Sequence, residues 1–103
     1  MGEIARWTTP AIFYKPSKVA VDDIDEIFLV FIQAGKTVLV KCKDCATITP
    51  EGFLWTLEQE DTGFLTLNQN VMIKIDYLTV NGMRYTTRGK NYKVSNSGLN
   101  GVI

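Results

Sequence analysis

The segment formed by residues 26–33, EIFLVFIQ, constrains the fold of this 103-residue chain more than any other. In a β-strand, successive side chains point to opposite faces of the sheet. The six apolar side chains then form two sets, which are Ile27, Leu29 and Phe31 on one face and Phe28, Val30 and Ile32 on the other. A strand that is apolar on both faces is either buried on both sides or covered on one side by a partner.

Two interpretations of the second apolar face stay open at this stage. Residues 15–25 connect this strand to the preceding one, and they could fold over it within the chain. Alternatively, the surplus apolar surface marks a subunit interface, because exposed apolar patches are typical of partner sites. The candidate interface residues are Ile27, Phe28, Leu29, Val30, Phe31 and Ile32.

Period-two patterning and turn signals predict several further strands. Residues 71–80, VMIKIDYLTV, alternate between apolar and charged positions, which indicates a half-buried antiparallel strand. The Asn81-Gly82 pair that follows predicts a type I′ hairpin turn, which needs positive φ at both positions. A short Gly-containing turn at Ala34-Gly35 predicts a second hairpin, between residues 26–33 and 36–41.

Composition agrees with a fold built from strands. Nine Val, nine Ile and eleven Thr stand against five Ala, and β-branched residues favour strands. Residues 58–65 predict only a capped turn or a one-turn helix. The remaining predicted strands are residues 8–14, 53–57, 83–88 and 92–94. About seven short strands in one domain spanning residues 1–103 predict an all-β fold, an antiparallel immunoglobulin-like β-sandwich.

The charge balance argues against a nucleic-acid binder. Eleven Lys and Arg balance eleven Asp and Glu, whereas affinity for nucleic acid depends largely on a surplus of basic residues that face phosphates. One stretch near the end of the chain is basic and aromatic, with Arg84, Tyr85, Arg88, Lys90, Tyr92 and Lys93. In a neutral protein, such charges more often protect an edge strand against aggregation.

The sequence Cys42-Lys43-Asp44-Cys45 is the one motif that could carry chemistry. Structural zinc needs four ligands, and the chain has no further Cys and no His. We therefore expect no metal, no cofactor and no catalytic residues, with a zinc ion shared between two subunits or a local disulfide as the alternatives. The acidic groups 22–26 and 58–61 lack the ligand spacing of a calcium loop and the cleft of a glycosidase pair.

Neither a targeting segment nor a membrane span is expected. The first nine residues are polar and mixed, and a secretory signal would have an apolar region there. The longest apolar run, residues 27–32, is far shorter than the roughly 20 residues that span a bilayer. We therefore expect synthesis in a cytoplasm, with both cysteines reduced.

Five short motifs resemble those of a known family. They are Arg6-Trp7-Thr8-Thr9-Pro10, Phe31-Ile32-Gln33-Ala34-Gly35, Trp55-Thr56-Leu57-Glu58-Gln59-Glu60, Asn81-Gly82 and Gly101-Val102-Ile103. Over nearly its whole length the chain resembles small proteins of about a hundred residues from phages and prophages of Firmicutes gut bacteria. It resembles more loosely the N-terminal β-sandwich of phage baseplate upper proteins. Trp7 departs from the family, which has a small residue at this position, and residues 91–100 are more polar than its last strand.

The resemblance implies a non-enzymatic structural or assembly protein of a phage tail or baseplate, which acts through protein–protein contacts. Its expected partners are other phage structural proteins or further copies of itself. Its expected location is the virion, or the bacterial cytoplasm before assembly. The alternative is a small binding module that recognises a cell-surface glycan or host protein through exposed aromatic residues, for which Trp7, Phe53 and Tyr92 are the candidates.

Overall fold

β-Strands make up most of the structure, a computed structural model that describes residues 2–98. The strands are β1 (Gly2–Ala5), β2 (Ala11–Tyr14), β3 (Ile24–Gln33), β4 (Lys36–Lys41), β5 (Thr47–Ile48), β6 (Phe53–Thr56), β7 (Asn70–Thr79), β8 (Arg84–Thr86) and β9 (Lys90–Ser95). In these residues, the helical structure is α1 (Gln59–Gly63) and two 3₁₀ turns, at Val21–Asp23 and Lys43–Cys45. The all-β prediction is therefore confirmed.

The strands form two sheets. The larger has the order β1-β9-β7-β3-β4, with β8 also paired to β7, and the smaller has the order β2-β6-β5. β1 runs parallel to β9, so the larger sheet is mixed and the expectation of purely antiparallel pairing is wrong. The polar segment Gly2–Ala5 has no alternating apolar pattern, and its strand forms by pairing with a segment about ninety residues away in the chain.

The inner faces of the two sheets share one core. β3 and β7 lie side by side in the middle of the larger sheet and contribute alternate residues, as their patterns predict. Phe53 and Trp55 of β6 contribute from the smaller sheet, and both rings are buried. The buried apolar core is Ile4, Ile24, Ile27, Leu29, Phe31, Phe53, Trp55, Leu57, Leu65, Val71, Ile73, Ile75, Tyr77 and Val94.

The two hairpin turns differ from each other in backbone conformation. Ala34 and Gly35 both have positive φ, 51° and 76°, as a two-residue type I′ turn requires. In the second hairpin only Gly82 has positive φ, 87°, so the type I′ prediction for Asn81-Gly82 is wrong. The Gly82 N–H donates to the Thr79 carbonyl (3.0 Å) and the Thr79 N–H donates to the Met83 carbonyl (2.9 Å). This is a three-residue loop in which Gly82 supplies the left-handed position.

The segment after β1 is hydrogen-bonded to α1. Arg6 donates to the Gly63 carbonyl through Nε (3.1 Å) and Nη2 (2.9 Å). The Thr62 hydroxyl accepts from the Thr8 N–H (3.0 Å) and donates to the Thr8 carbonyl (2.9 Å). These contacts hold Trp7, whose φ is 61°, against Gly63, where an added Cβ would lie 2.3 Å from the indole ring. Trp7 is therefore packed on a glycine.

The connection between β2 and β3 packs at the core. Val19 and Val21 of this connection are partly buried and contact the core cluster, which does not include Phe28, Val30 or Ile32. The last motif of the family resemblance, residues 101–103, lies outside the described residues.

Candidate protein-contact surface

The six predicted interface residues divide between the two faces of β3. Ile27, Leu29 and Phe31 point into the core and are 0% exposed. They hold the two sheets together, so their side chains do not reach the surface. The other three, Phe28, Val30 and Ile32, lie on the opposite face, where Val30 is buried and the other two are half-buried.

Cross-strand pairing extends this second face to the neighbouring strands. Residues directly opposite each other in adjacent strands share a face. Val40 of β4 lies opposite Val30, and Met72 of β7 lies opposite Ile32. We call the surface formed by Phe28, Val30, Ile32, Val40 and Met72 the outer face.

The outer face is most buried at its centre and most exposed at its β4 side. Val30 is 7% exposed although it points away from the core, whereas Val40 is 50% exposed. Val38, two residues before Val40 on the same strand, is 48% exposed. Apolar surface of this kind, next to a strand that ends its sheet, is typical of a partner-binding surface.

Charged groups border the outer face on its β7 side. Lys74 lies opposite Val30 and Asp76 lies opposite Phe28, and the two charges are 3.4 Å apart. Asp76 also accepts a hydrogen bond from the Thr86 hydroxyl of β8. The surface is therefore apolar on β3, on β4 and at Met72, and polar at Lys74 and Asp76 of β7 and at Thr86 of β8.

β4 is an edge strand with a basic residue at each end. It terminates the larger sheet, so one of its edges has no neighbouring strand among residues 2–98. Lys41 forms an ion pair with Asp61 at 3.0 Å, and this contact raises the pKa of the lysine. Lys36 at the other end is exposed. Lysines on an edge strand oppose indiscriminate pairing with other strands.

The two cysteines flank the start and end of the 3₁₀ turn after β4, with Cys42 directly before it and Cys45 as its last residue. Their sulfur atoms are 3.9 Å apart, and neither is in a disulfide. The backbone N–H of Asp44 and the contact with Cys45 lower the pKa of the Cys42 thiol. Residues 2–98 bring together no group of three or more Cys, Asp, Glu or His side chains that could hold a metal ion.

The two acidic clusters differ in their contacts. Asp61 Oδ2 accepts from the Glu58 N–H at 2.9 Å, and the Glu58 side chain accepts in return, which makes a capping box for α1. Asp22 and Asp23 are exposed in their 3₁₀ turn. In the basic and aromatic stretch, Arg84, Arg88, Lys90 and Lys93 are all exposed, on β8, β9 and the loop between them.

The three aromatic residues predicted for a binding module differ in how exposed they are. Phe53 is 0% exposed in the core, so its assignment to a binding surface is wrong. Tyr92 is half-buried against the core, and Trp7 is half-buried on Gly63. Sequence reasoning missed Phe64, which is 79% exposed and packs edge-on against Trp7 with ring centroids 5.7 Å apart. An apolar residue directly after the helix-ending Gly63 was the available signal.

A half-buried phenol packs against the core from β2. Tyr14 of β2 contacts Tyr77 of β7 across the two sheets, with ring centroids 6.1 Å apart. Burial, followed by the hydrogen bond with Tyr77, raises the pKa of Tyr14 to about 12. The phenol is thus kept neutral and serves packing between the sheets.

Comparison of the chain with protein-family models, with curated proteins and with solved structures finds no match. In the part of the chain from residue 2 to residue 98, no helix is long and apolar enough to cross a membrane.

Proposed function

We propose that this chain is a non-enzymatic structural or assembly protein of a phage or prophage, a tail or baseplate component that acts through protein–protein contacts. The outer face is the observation that carries the proposal, since it leaves apolar surface on a strand whose other side already fills the core. Covering Phe28, Ile32 and Val40 is worth several kcal/mol, at about 25 cal/mol per Å² of apolar area. The family resemblance of the five motifs supplies the phage setting.

We also propose that the fold is a variant of the immunoglobulin-like β-sandwich. Two sheets that share one core, with Trp55 buried between them, support this description. The parallel pairing of β1 with β9 is a departure from that fold, which is antiparallel.

We propose a different protein as the partner for the outer face, and one pairing of two copies along β4 is disfavoured. One antiparallel pairing of β4 with β4 of a second copy has its centre between Val38 and Leu39. In this pairing, Lys36 of each copy would lie opposite Lys41 of the other. Like charges directly opposite each other destabilise a strand pair. A partner with an apolar surface would match Phe28, Ile32 and Val40 of the outer face.

Mass spectrometry of purified particles tests this function. Particles are induced from the lysogen that encodes the chain, purified by density gradient, and their proteins are quantified. The proposal predicts that the chain copurifies with tail proteins at a fixed ratio. A chain confined to the cell lysate, with none in the particles, would contradict its role as a tail component.

A second candidate function rests on the pair formed by half-buried Trp7 and exposed Phe64. Aromatic faces at a surface stack on sugar rings, so this pair favours the binding module that recognises a cell-surface glycan. A glycan array with the wild type, Phe64→Ala and Phe13→Ala tests it, because Phe13 is also exposed but lies on β2. Specific signals that only Phe64→Ala abolishes would establish this function, and an array without specific signals would exclude it.

A further inference from the structure

The turn after β4 places two thiols in contact on the surface. Cys42 is half-buried, Cys45 is exposed, and their Sγ atoms are 3.9 Å apart. Sequence separation alone does not impose this short Sγ–Sγ distance, because a flexible four-residue segment samples many conformations in which the sulfurs are apart. The two thiols are therefore placed to react with each other.

Contacts with other strands hold the turn in this conformation. Trp55 Nε1 of β6 donates to the Cys42 carbonyl at 3.0 Å. Lys43 Nζ donates to the carbonyls of Ile24 (3.0 Å) and Asp25 (3.3 Å) of β3. Within the turn, the Cys45 N–H donates to the Cys42 carbonyl at 3.2 Å. Both sheets thus anchor the segment between the cysteines.

The two sulfurs differ in their surroundings. The N–H groups of Asp44 and Cys45 and the neighbouring Cys45 thiol lower the pKa of the Cys42 thiol. The thiolate is the form that attacks disulfides. Cys45 is the more exposed of the two residues, and its thiol lies beside that of Cys42.

We infer that Cys42 and Cys45 form a redox-active dithiol that exchanges with low-molecular-weight disulfides of the glutathione type. Cys42 is the attacking residue and Cys45 is the resolving residue. This activity is independent of the outer face and of the function proposed above.

The exchange proceeds in two balanced steps. The Cys42 thiolate attacks one sulfur of the small disulfide, the S–S bond of that disulfide breaks, and one small thiolate leaves. Cys45 then gives its proton to solvent and attacks the Cys42 sulfur, which releases the second small thiolate. The protein loses two electrons, the small disulfide gains them, and each released thiolate takes up a proton.

The test is a redox titration of the full chain. The protein is equilibrated with mixtures of reduced and oxidised glutathione, quenched with acid, alkylated and weighed intact. The expected product is an internal disulfide that forms without a lasting glutathione adduct. At the titration midpoint, half of the chain carries the disulfide, and the quantity compared is the squared concentration of reduced glutathione divided by the concentration of oxidised glutathione. This quantity should be about tenfold or more higher for the native chain than for the chain in concentrated urea, because folding holds the thiols together. An equal ratio in both states, thiols that stay reduced, or lasting adducts on both residues would overturn the inference.

Two matched variants assign the roles, after circular dichroism has shown that both fold. Cys45→Ser should trap one glutathione on Cys42 as a stable mixed disulfide. Cys42→Ser should acquire its adduct on Cys45 several-fold more slowly. Equal rates in the two variants would contradict the assignment of Cys42 as the attacking residue.

Discussion

The two faces of β3 have similar side chains and different surroundings. Its inner face carries Ile27, Leu29 and Phe31, which are completely buried against the smaller sheet. Its outer face carries Phe28, Val30 and Ile32, of which only Val30 is buried. Hydrophobicity therefore does not decide which face fills the core. That choice depends on where Phe53 and Trp55 pack, and the other face is left partly exposed.

A matched pair of phenylalanine variants should give the largest effect. Phe31→Ala is expected to cost about 3–5 kcal/mol, because it leaves a cavity in the core. Phe28→Ala, on the same strand but on the half-buried outer face, should cost only about 1–2 kcal/mol. Urea denaturation of both variants measures the two losses. Equal losses would show that the outer face is as well packed as the inner one.

The β7–β8 hairpin offers the next test, since its register decides which side chains of β7 face the core. Gly82→Val should destabilise the chain by about 1–3 kcal/mol, because it forces a β-branched residue to positive φ. Within residues 2–98, no atom outside the neighbouring residues lies within 4 Å of the added Cβ, so the cost is in the backbone. Gly82→Asn is the control and should cost less, because Asn tolerates this conformation. Thermal unfolding that is unchanged in Gly82→Val would contradict the turn described above.

Alkaline pH should weaken the inner contact between the sheets. The pKa of Tyr14 is about 12 in the folded chain against 10.0 for the free side chain, so the unfolded chain loses the proton first. The stabilisation is complete below pH 10 and declines as pH rises towards 12. The expected loss is roughly 1 kcal/mol after allowance for solvent screening.

Denaturation of the wild type and Tyr14→Phe across this pH range measures the Tyr14 contribution. The variant should have a smaller alkaline decline, because it has no phenol to ionise at this position. Parallel pH profiles of the two proteins would show that Tyr14 ionises normally.

The smallest effect is expected at the turn after β4. Cys42→Ser should shift the melting temperature by about a degree or less, because Trp55 bonds to the carbonyl of this residue and a serine retains it. Purified protein should contain substoichiometric zinc. A dimer that holds one zinc ion per two chains, and that dissociates when the zinc is removed, would contradict this expectation. It would mean that a shared metal joins the copies and that they do not need apolar contact through the outer face.

Sequence patterns predicted the all-β class, the alternation in β3 and β7 and the division of the six interface residues into two sets. They did not predict how β4 aligns with β3. A regular two-residue turn at Ala34-Gly35 would place Leu39 opposite Val30, but a register shift between Phe31 and Ile32 places Val40 there. The bulge turns Leu39 towards the core and Val40 outward. Such a shift depends on packing between sheets, which a local pattern does not contain.

The same reason explains the missed strand β1 and the misassigned turn at residues 80–82. β1 has a partner only because the chain returns to it at β9. At the turn, the Thr79 hydroxyl accepts from the Met83 N–H at 3.0 Å and donates to the Asn81 side chain, which favours a three-residue loop. Both features depend on contacts with residues outside the motif that was used to predict them.

Incorporation of two valine variants into particles tests most directly whether the outer face binds a partner. Val40→Lys places a charge on the outer face, and Val80→Lys makes the same change at an exposed valine after β7. Both are introduced into the prophage, and the chain is quantified in purified particles, with melting temperatures to show that each variant folds. We predict that Val40→Lys is depleted about tenfold or more while Val80→Lys is retained at the wild-type level. Equal retention of the two variants would contradict the assignment of the outer face as the contact surface.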